Sequence, residues 1–335
     1  MSVVVIYRFM LANALTLFYS FVALIVITLN YLKNPFQKSP LRLVPPAQLT
    51  DPKYGVHKYI KANNTTIHYV DSGDSAKPLM LFVHGFPEFW YLWRHQIVHF
   101  NKKYRCVAVD MRGYGDSERP DDVSSYKLEL LIEDIRDLIK QLGHDKCILV
   151  SHDWGGVVAC RLRDVYPEVL NGLIVLGSTE HSLWVDTLYN NAEQMKKSWY
   201  IFLFRMPWIP EKMMQINDLE VFEKSMLSGS GVTKDDIECF KYWFRKPTAM
   251  TPPINYYRAN FKYSAEIKYH DEKVPFLFAH GSDEKYLNSS LLERMKELYS
   301  VIETAIVEGA GHFLPQTDPE KTNKLIDEFL EKHSL

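Results

Sequence analysis

Ile148-Leu149-Val150-Ser151-His152-Asp153-Trp154-Gly155-Gly156 reads as an apolar strand, a sharp turn and the first residues of a helix. Asp153 stands where a small-x-nucleophile-x-Gly elbow presents its nucleophile, with Ser151 in the first small position. Such elbows usually carry serine, but here the presented group is a carboxylate. A carboxylate is already ionised at neutral pH, its ordinary pKa being about 3.9. It can displace a leaving group at a saturated carbon and form an alkyl ester of the protein. Water must then hydrolyse that ester, which calls for a base and for donors to the oxyanion. Ser151, on the strand side of the turn, is not placed to be the nucleophile. An aspartate before a helix is, taken alone, more often an N-cap. Three other motifs decide against that reading.

Val83-His84-Gly85-Phe86-Pro87-Glu88 follows an earlier apolar run. Its backbone N–H at Phe86, paired with that of Trp154, can aim two donors at a developing oxyanion. Gly85 permits the tight bend and Pro87 fixes it, a cis Phe86–Pro87 bond being one way to do so. Gly309-Ala310-Gly311-His312-Phe313 places a histidine in a loop near the carboxyl end. Before it, Ala279-His280-Gly281-Ser282-Asp283 leaves a strand with a carboxylate. The order nucleophile, acid, histidine then assigns Asp153, Asp283 and His312 to one constellation. His84, His152, His280 and Glu88 sit in loop turns and are read as structural hydrogen-bonding groups rather than metal ligands. No metal or cofactor is implied.

These groups need a scaffold. The chain has 335 residues, 47% hydrophobic and 24% charged with a net charge of −2, enough for one large domain or two average ones. The balance excludes extensive disorder and offers no basic excess for nucleic acid. Cys106, Cys147, Cys160 and Cys239 are too scattered for a disulfide framework or zinc site and are expected as buried thiols. Strand-like runs fall at Leu79–Val83, Arg105–Val109, Cys147–Val150, Leu173–Leu176, Pro275–Ala279 and Thr304–Val307. Most lack alternation, as strands covered on both faces do. Helical patterns lie between them at Leu128–Leu142, Gly155–Val165, Leu287–Tyr299 and Pro319–Lys332. Alternating elements predict an α/β fold, a mostly parallel sheet with helices on both faces. From about Ser182 to Tyr263 no strand appears and aromatics abound, which predicts a helical cap over the carboxyl ends of the strands.

The amino terminus is different. Phe9 to Leu32 carries no charge, 24 residues that as a helix would span about 36 Å against a hydrocarbon core of about 30 Å. The expectation is a single-pass anchor. Basic residues are sparse before it and denser after it (Lys33, Lys38, Arg42), which places the body in the cytosol. Sequons at Asn63, Asn64 and Asn288 would be modified only if the body were luminal. Prolines at 35, 40, 45, 46 and 52 make 34–53 a semi-rigid spacer. The expected division is therefore 1–33 anchor, 34–53 linker, 54–181 and 264–335 core, and 182–263 inserted cap.

From Tyr54 onward the chain resembles the α/β-hydrolase-fold epoxide hydrolases, in particular their membrane-anchored animal members. The resemblance rests on His84-Gly85-Phe86-Pro87-Glu88-Phe89-Trp90-Tyr91-Leu92-Trp93-Arg94, Asp110-Met111-Arg112-Gly113-Tyr114-Gly115-Asp116-Ser117 and Ser151-His152-Asp153-Trp154-Gly155-Gly156. It implies two cap tyrosines that hold the epoxide oxygen. Asn255-Tyr256-Tyr257-Arg258 gives Tyr257, and the stretch before Phe204-Arg205-Met206-Pro207 gives Tyr200. A phenol, with pKa near 10, stays protonated at neutral pH yet can protonate an alkoxide. Ser151 stands where the family usually has glycine, and Tyr256 where it often has tryptophan. Phe86, Trp154 and Tyr256 are the expected substrate-binding residues. Glu284 and Glu180 are rival acids, but Asp283 matches the motif. The resemblance implies hydrolysis of epoxides to vicinal diols through an Asp153 ester, with His312 activating water. A haloalkane dehalogenase using the same aspartate and a silent membrane-tethered binding protein are the alternatives. A cap rich in Trp and Met, with an anchor at the endoplasmic reticulum by default, points to lipophilic epoxides such as those of fatty acids. The oligomeric state is left open.

Overall fold

The computed structural model describes residues 2–35, 39–40, 42–226, 231–270 and 273–335. Strands β1 (Val56–Ala62), β2 (Thr65–Ser72), β3 (Leu79–Val83), β4 (Arg105–Val109), β5 (Cys147–His152), β6 (Leu170–Leu176), β7 (Phe276–Gly281) and β8 (Glu303–Val307) form one sheet. Their order is β1-β2-β4-β3-β5-β6-β7-β8. The pairs β1–β2 and β2–β4 are antiparallel, while the pairs from β4–β3 through β7–β8 are parallel. Every residue of β3, β4, β5 and β7 is buried, which is why their sequences run apolar without alternation. The helices Leu128–Gln141, Trp154–Val165, Ser290–Leu298 and Pro319–His333 lie close to their predicted spans. All four cysteines are buried and free.

The β1–β2 hairpin was not anticipated among the strand-like runs. Its turn is Asn63-Asn64, with φ of 44° and 60°. Asparagine is among the few side chains that tolerate two successive left-handed positions, as a tight hairpin turn requires. Read only as sequons, that pair concealed its structural meaning.

Between β6 and β7 the described chain is helical, from His181–Asn190 through Trp199–Phe204, Ile209–Met214 and Lys234–Phe244 to Thr251–Asn260. Residues 227–230 and 271–272 of the predicted cap and core lie outside the described residues. The N-terminal helix, Val3–Lys33, is long and apolar enough to cross a membrane. Its buried residues Ala12, Thr16, Ser20 and Ala23 form one stripe. Ala12 packs with Leu188 and Phe202, and Ala23 with Leu203 and Ile209. The proline-rich segment after it, whose residues 36–38 and 41 lie outside the described residues, is more than a spacer. Arg42 donates to Asp218 at 2.6 and 2.8 Å and to Glu238 at 2.9 Å, and Leu49 is buried.

Candidate active site

The turn after β5 holds Asp153 at φ 49° and ψ −120°, a left-handed kink between strand and helix. That kink brings the backbones around it into close approach. A Cβ on Gly85 would lie 2.4 Å from Asp153 Oδ1 and 2.7 Å from the Trp154 nitrogen. The Phe86 N–H donates to Asp153 Oδ1 at 2.7 Å, and the Phe86–Pro87 bond is cis. The Trp154 amide therefore sits beside the same carboxylate, and both expected oxyanion amides flank Asp153.

The loop carrying Phe86 is tied from below. Glu88 Oε2 accepts from the Gly85 N–H at 2.9 Å and pairs with His152 Nδ1 at 2.8 Å. His152 Nε2 donates to the His312 carbonyl at 2.8 Å, so one buried chain of contacts joins oxyanion loop, elbow and histidine loop. His84 Nε2 accepts from the Met111 N–H at 3.0 Å, and His280 Nε2 donates to the Ser178 carbonyl at 2.8 Å. These histidines and Glu88 hold loops in place, as their positions in the sequence suggested.

His312 stands between two carboxylates. Its Nε2 is 3.5 Å from Asp153 Oδ2 and its Nδ1 is 2.7 Å from Glu284 Oε2. Burial opposes the imidazolium, but the charge of Glu284 and hydrogen bonding to Asp153 and Glu284 overcome it and lift its pKa well above the ordinary value. Burial would raise the Asp153 carboxyl, yet His312 and the Phe86 N–H more than offset this and hold it low. Glu284 is likewise held low against its burial, chiefly by His312. The resting triad is thus a carboxylate–imidazolium–carboxylate array.

Asp283 does not hold the histidine. It is exposed, its N–H donates to the Ala310 carbonyl at 2.9 Å, and its Oδ1 accepts from the Ser282 hydroxyl at 3.4 Å. That backbone tie turns its side chain outward and delivers the next residue inward. Glu284 enters with its carboxylate almost wholly buried, Oε1 accepting from the Tyr286 N–H at 2.7 Å. Sequence order located the right turn but not which of two consecutive acids faces the site. The other rival, Glu180, caps the helix His181–Asn190 through the N–H groups of Ser182 and Leu183.

Two cavities meet at Asp153, and Asp153, Tyr200 and Tyr257 line both. The smaller, about 60 Å³, extends past Trp154, Val157, His181 and Trp184. The larger, about 320 Å³, runs past Phe86, Trp199, Leu203, Met213 and Met214 and reaches His312. The Tyr200 and Tyr257 rings are 6.0 Å apart and nearly perpendicular, and Tyr257 packs edge-on against Phe86 and Trp154. Burial, followed for Tyr200 by the Asp153 charge and for Tyr257 by Tyr200 and Asp153, pushes both phenols well above their usual pKa. Both remain proton donors at neutral pH.

Tyr256 turns away. It is fully buried, its hydroxyl donates to the Arg112 carbonyl at 2.7 Å, and it lines neither cavity. Successive residues on a helix point about 100° apart, so Tyr256 and Tyr257 cannot share one face. Its expected contact with substrate is therefore corrected to a structural role. Tyr286, which sequence reading passed over, lines the larger cavity with its ring 5.9 Å from that of Tyr200 and 4.8 Å from that of His312. Among the described residues no group of three or more His, Cys, Asp or Glu is arranged to hold a metal ion.

Sheet, elbow and cap define an α/β hydrolase, and residues 78–215 match the model of the α/β hydrolase fold. Epoxide hydrolase 4 of Homo sapiens is 38% identical over 315 residues, covering 90% of this chain and 87% of that protein. Epoxide hydrolase 3 of Xenopus tropicalis is 36% identical, covering 88% and 83%. The crystal structure of an epoxide hydrolase from Bacillus megaterium, in complex with an inhibitor, superposes with a TM-score of 0.74 at 28% identity, covering 82% of this chain and 100% of that one. That of an epoxide hydrolase from Vigna radiata gives 0.73 at 29%, covering 83% and 98%. The chain belongs to the epoxide hydrolase family of α/β hydrolases, and is a hydrolase acting on epoxides.

Proposed function

We propose that this enzyme converts lipophilic, lipid-derived epoxides to vicinal diols through a covalent ester on Asp153. The observation that carries the reading is the carboxylate of Asp153, held by the Phe86 N–H and facing His312 where two apolar cavities meet under Tyr200 and Tyr257. An Asp153 oxygen attacks an epoxide carbon, the carbon–oxygen bond breaks, and the ring oxygen takes a proton from Tyr200 or Tyr257.

Esterification also removes the negative charge that helped hold the His312 proton. That proton can now replenish the phenol, leaving a neutral imidazole at the moment a base is needed. His312 then takes a proton from water as the hydroxide adds to the ester carbon. The Phe86 and Trp154 amides receive the oxyanion. Collapse returns the His312 proton to the departing diol oxygen, and the Asp153 carboxylic acid re-protonates His312. One water is consumed. Glu284 orients His312 and stabilises its charged form throughout.

Two cavities that share Asp153, Tyr200 and Tyr257 but otherwise have different linings favour an epoxide flanked by carbon on both sides, as in a lipid chain. The N-terminal helix supports attachment to a membrane. We place it at the endoplasmic reticulum with the catalytic body toward the cytosol, consistent with the basic residues clustered after the helix.

Single turnover in oxygen-18 water tests the mechanism. The first diol should contain only oxygen-16, because its new oxygen comes from Asp153, and Asp153→Ala should form none. Solvent label in that first diol would rule out the ester. Chloride released from a chloroalkane at a comparable rate would favour the dehalogenase alternative.

A further inference from the structure

The N-terminal helix does not stand off the body as a separate anchor. Residues Val5, Arg8, Ala12, Thr16, Ser20, Ala23, Ile27 and Asn30 follow helical spacing along the face that loses exposure. Arg8, Thr16, Ser20 and Asn30 lie on that face, and both ends of the helix are bonded to the cap. Arg8 donates to Asn190 Oδ1 at 3.0 Å and to the Tyr263 carbonyl at 3.4 Å, and Asn30 donates to Asn217 Oδ1 at 2.8 Å. At mid-helix Arg205 of the cap donates to Thr16 Oγ1 at 2.7 Å and to Asn13 Oδ1 at 3.0 Å. A helix docked this way cannot also cross a bilayer, since crossing would carry Arg205 to the depth of the hydrocarbon. A charged side chain there costs several kcal/mol.

The opposite face is apolar and open. Leu17, Phe21 and Leu29 are 65%, 64% and 51% exposed. A strip of this length is too large and too apolar to face water. The first 50 residues contain no Asp or Glu, and Lys33 stands exposed at the end of the helix, so no negative charge on this segment opposes anionic headgroups. The docked face, for its part, backs onto the wall of the substrate cavity. Trp199, Leu203 and Met213 line the larger cavity, and each packs with the helix or its neighbours through Tyr19, Ala23 and Ile27.

We propose that Val3–Lys33 lies in the membrane plane, docked on the cap beside the larger cavity, with its outward face in an anionic lipid surface. The inference rests on the reading that this helix meets a membrane. It fixes the mode of attachment, with the amino terminus and the body on the same side.

The test uses the full chain with an epitope tag before Met1, translated into sealed microsomes. Protease added outside should remove tag and body together. A protected tag beside a digested body would mean the helix spans, which overturns the in-plane mode but keeps the tether. In parallel, Leu17, Phe21, Leu24 and Ile25 are changed together to Gln. This variant should lose flotation with phosphatidylcholine–phosphatidylserine vesicles at least tenfold while its turnover of a small water-soluble epoxide stays at the wild-type rate. If the wild type does not float, the membrane reading itself fails. If the wild type is a dimer in detergent and the variant a monomer that still floats, the face binds a second copy and the proposal is overturned. None of these readouts depends on the ester mechanism.

Discussion

Two adjacent acids after β7 differ in everything that matters to the histidine. Glu284 touches His312 Nδ1 from a buried position, whereas Asp283 is exposed. Glu284→Gln should lower kcat about 100- to 1,000-fold, the scale on which a positioned acid–base group acts. Asp283→Asn, at the surface, should leave kcat within about twofold. Steady-state kinetics on the pair decides between them, and the reverse ranking would reinstate Asp283. The charge on Asp153 gives a second prediction. In Asp153→Asn, His312 loses one of its two anionic partners, so the imidazolium is less stabilised and its pKa must fall. A pH titration of the His312 ring by NMR reads this directly, and an unchanged or higher pKa would contradict the proposed timing of the base. The adjacent tyrosines divide in the same way. Tyr257→Phe should cost roughly 10- to 100-fold in kcat. Tyr256→Phe should leave kcat intact and remove about 1 kcal/mol of stability with its bond to the Arg112 carbonyl, measured by denaturant unfolding.

At the scale of elements, the site is a meeting of three loops whose spacing depends on missing side-chain atoms. Gly85→Ala would place a carbon 2.4 Å from the Asp153 carboxylate, with backbone and a short side chain as the obstructing atoms. Neither can swing aside, so the oxyanion loop must withdraw. The expected result is a folded protein destabilised by about 1–3 kcal/mol, with a loss of kcat much larger than that of Tyr257→Phe. Normal turnover in a folded Gly85→Ala protein would show that the Phe86 amide is not needed where it stands. The elements themselves were largely legible. Strands β3 and β4 occupy the predicted residues because buried parallel strands have a distinctive unbroken apolar run. The β1–β2 hairpin was not, since β1 is an edge strand with most of its residues exposed and no apolar run to mark it.

For the whole molecule, the three sequons become unequal once folded. Asn64 is exposed at the hairpin turn, while Asn63 donates to Asp134 and buried Asn288 donates to Glu193. The proposed cytosolic placement of the body leaves none of them glycosylated, so endoglycosidase treatment of the protein expressed in animal cells should produce no mobility shift. A glycan at Asn64 would reverse the topology. The paired cavities predict substrate selection on the same scale. An epoxide in the middle of a long acyl chain should show a kcat/KM at least ten times that of a short terminal epoxide, about 1.4 kcal/mol, which burial of two or three further methylenes supplies. Equal values would mean that the second cavity carries no substrate.

By itself the sequence located the carboxylate of the elbow, the histidine that faces it, the turn whose amide bonds it, and the fold that carries them. Each depends on local backbone demands written in short motifs: an elbow, a glycine–aromatic–proline bend, apolar runs of strand length. Even Tyr257, on its helix, was found through a motif. Tertiary structure alone decided which of Asp283 and Glu284 meets His312. That choice is set by a hydrogen bond from Asp283 to Ala310, 27 residues away, and no local pattern encodes it. The same holds for the amino-terminal helix. Its composition makes it apolar, but the face it turns to the body is defined by Arg205, Asn190 and Asn217, which only the folded cap brings beside it.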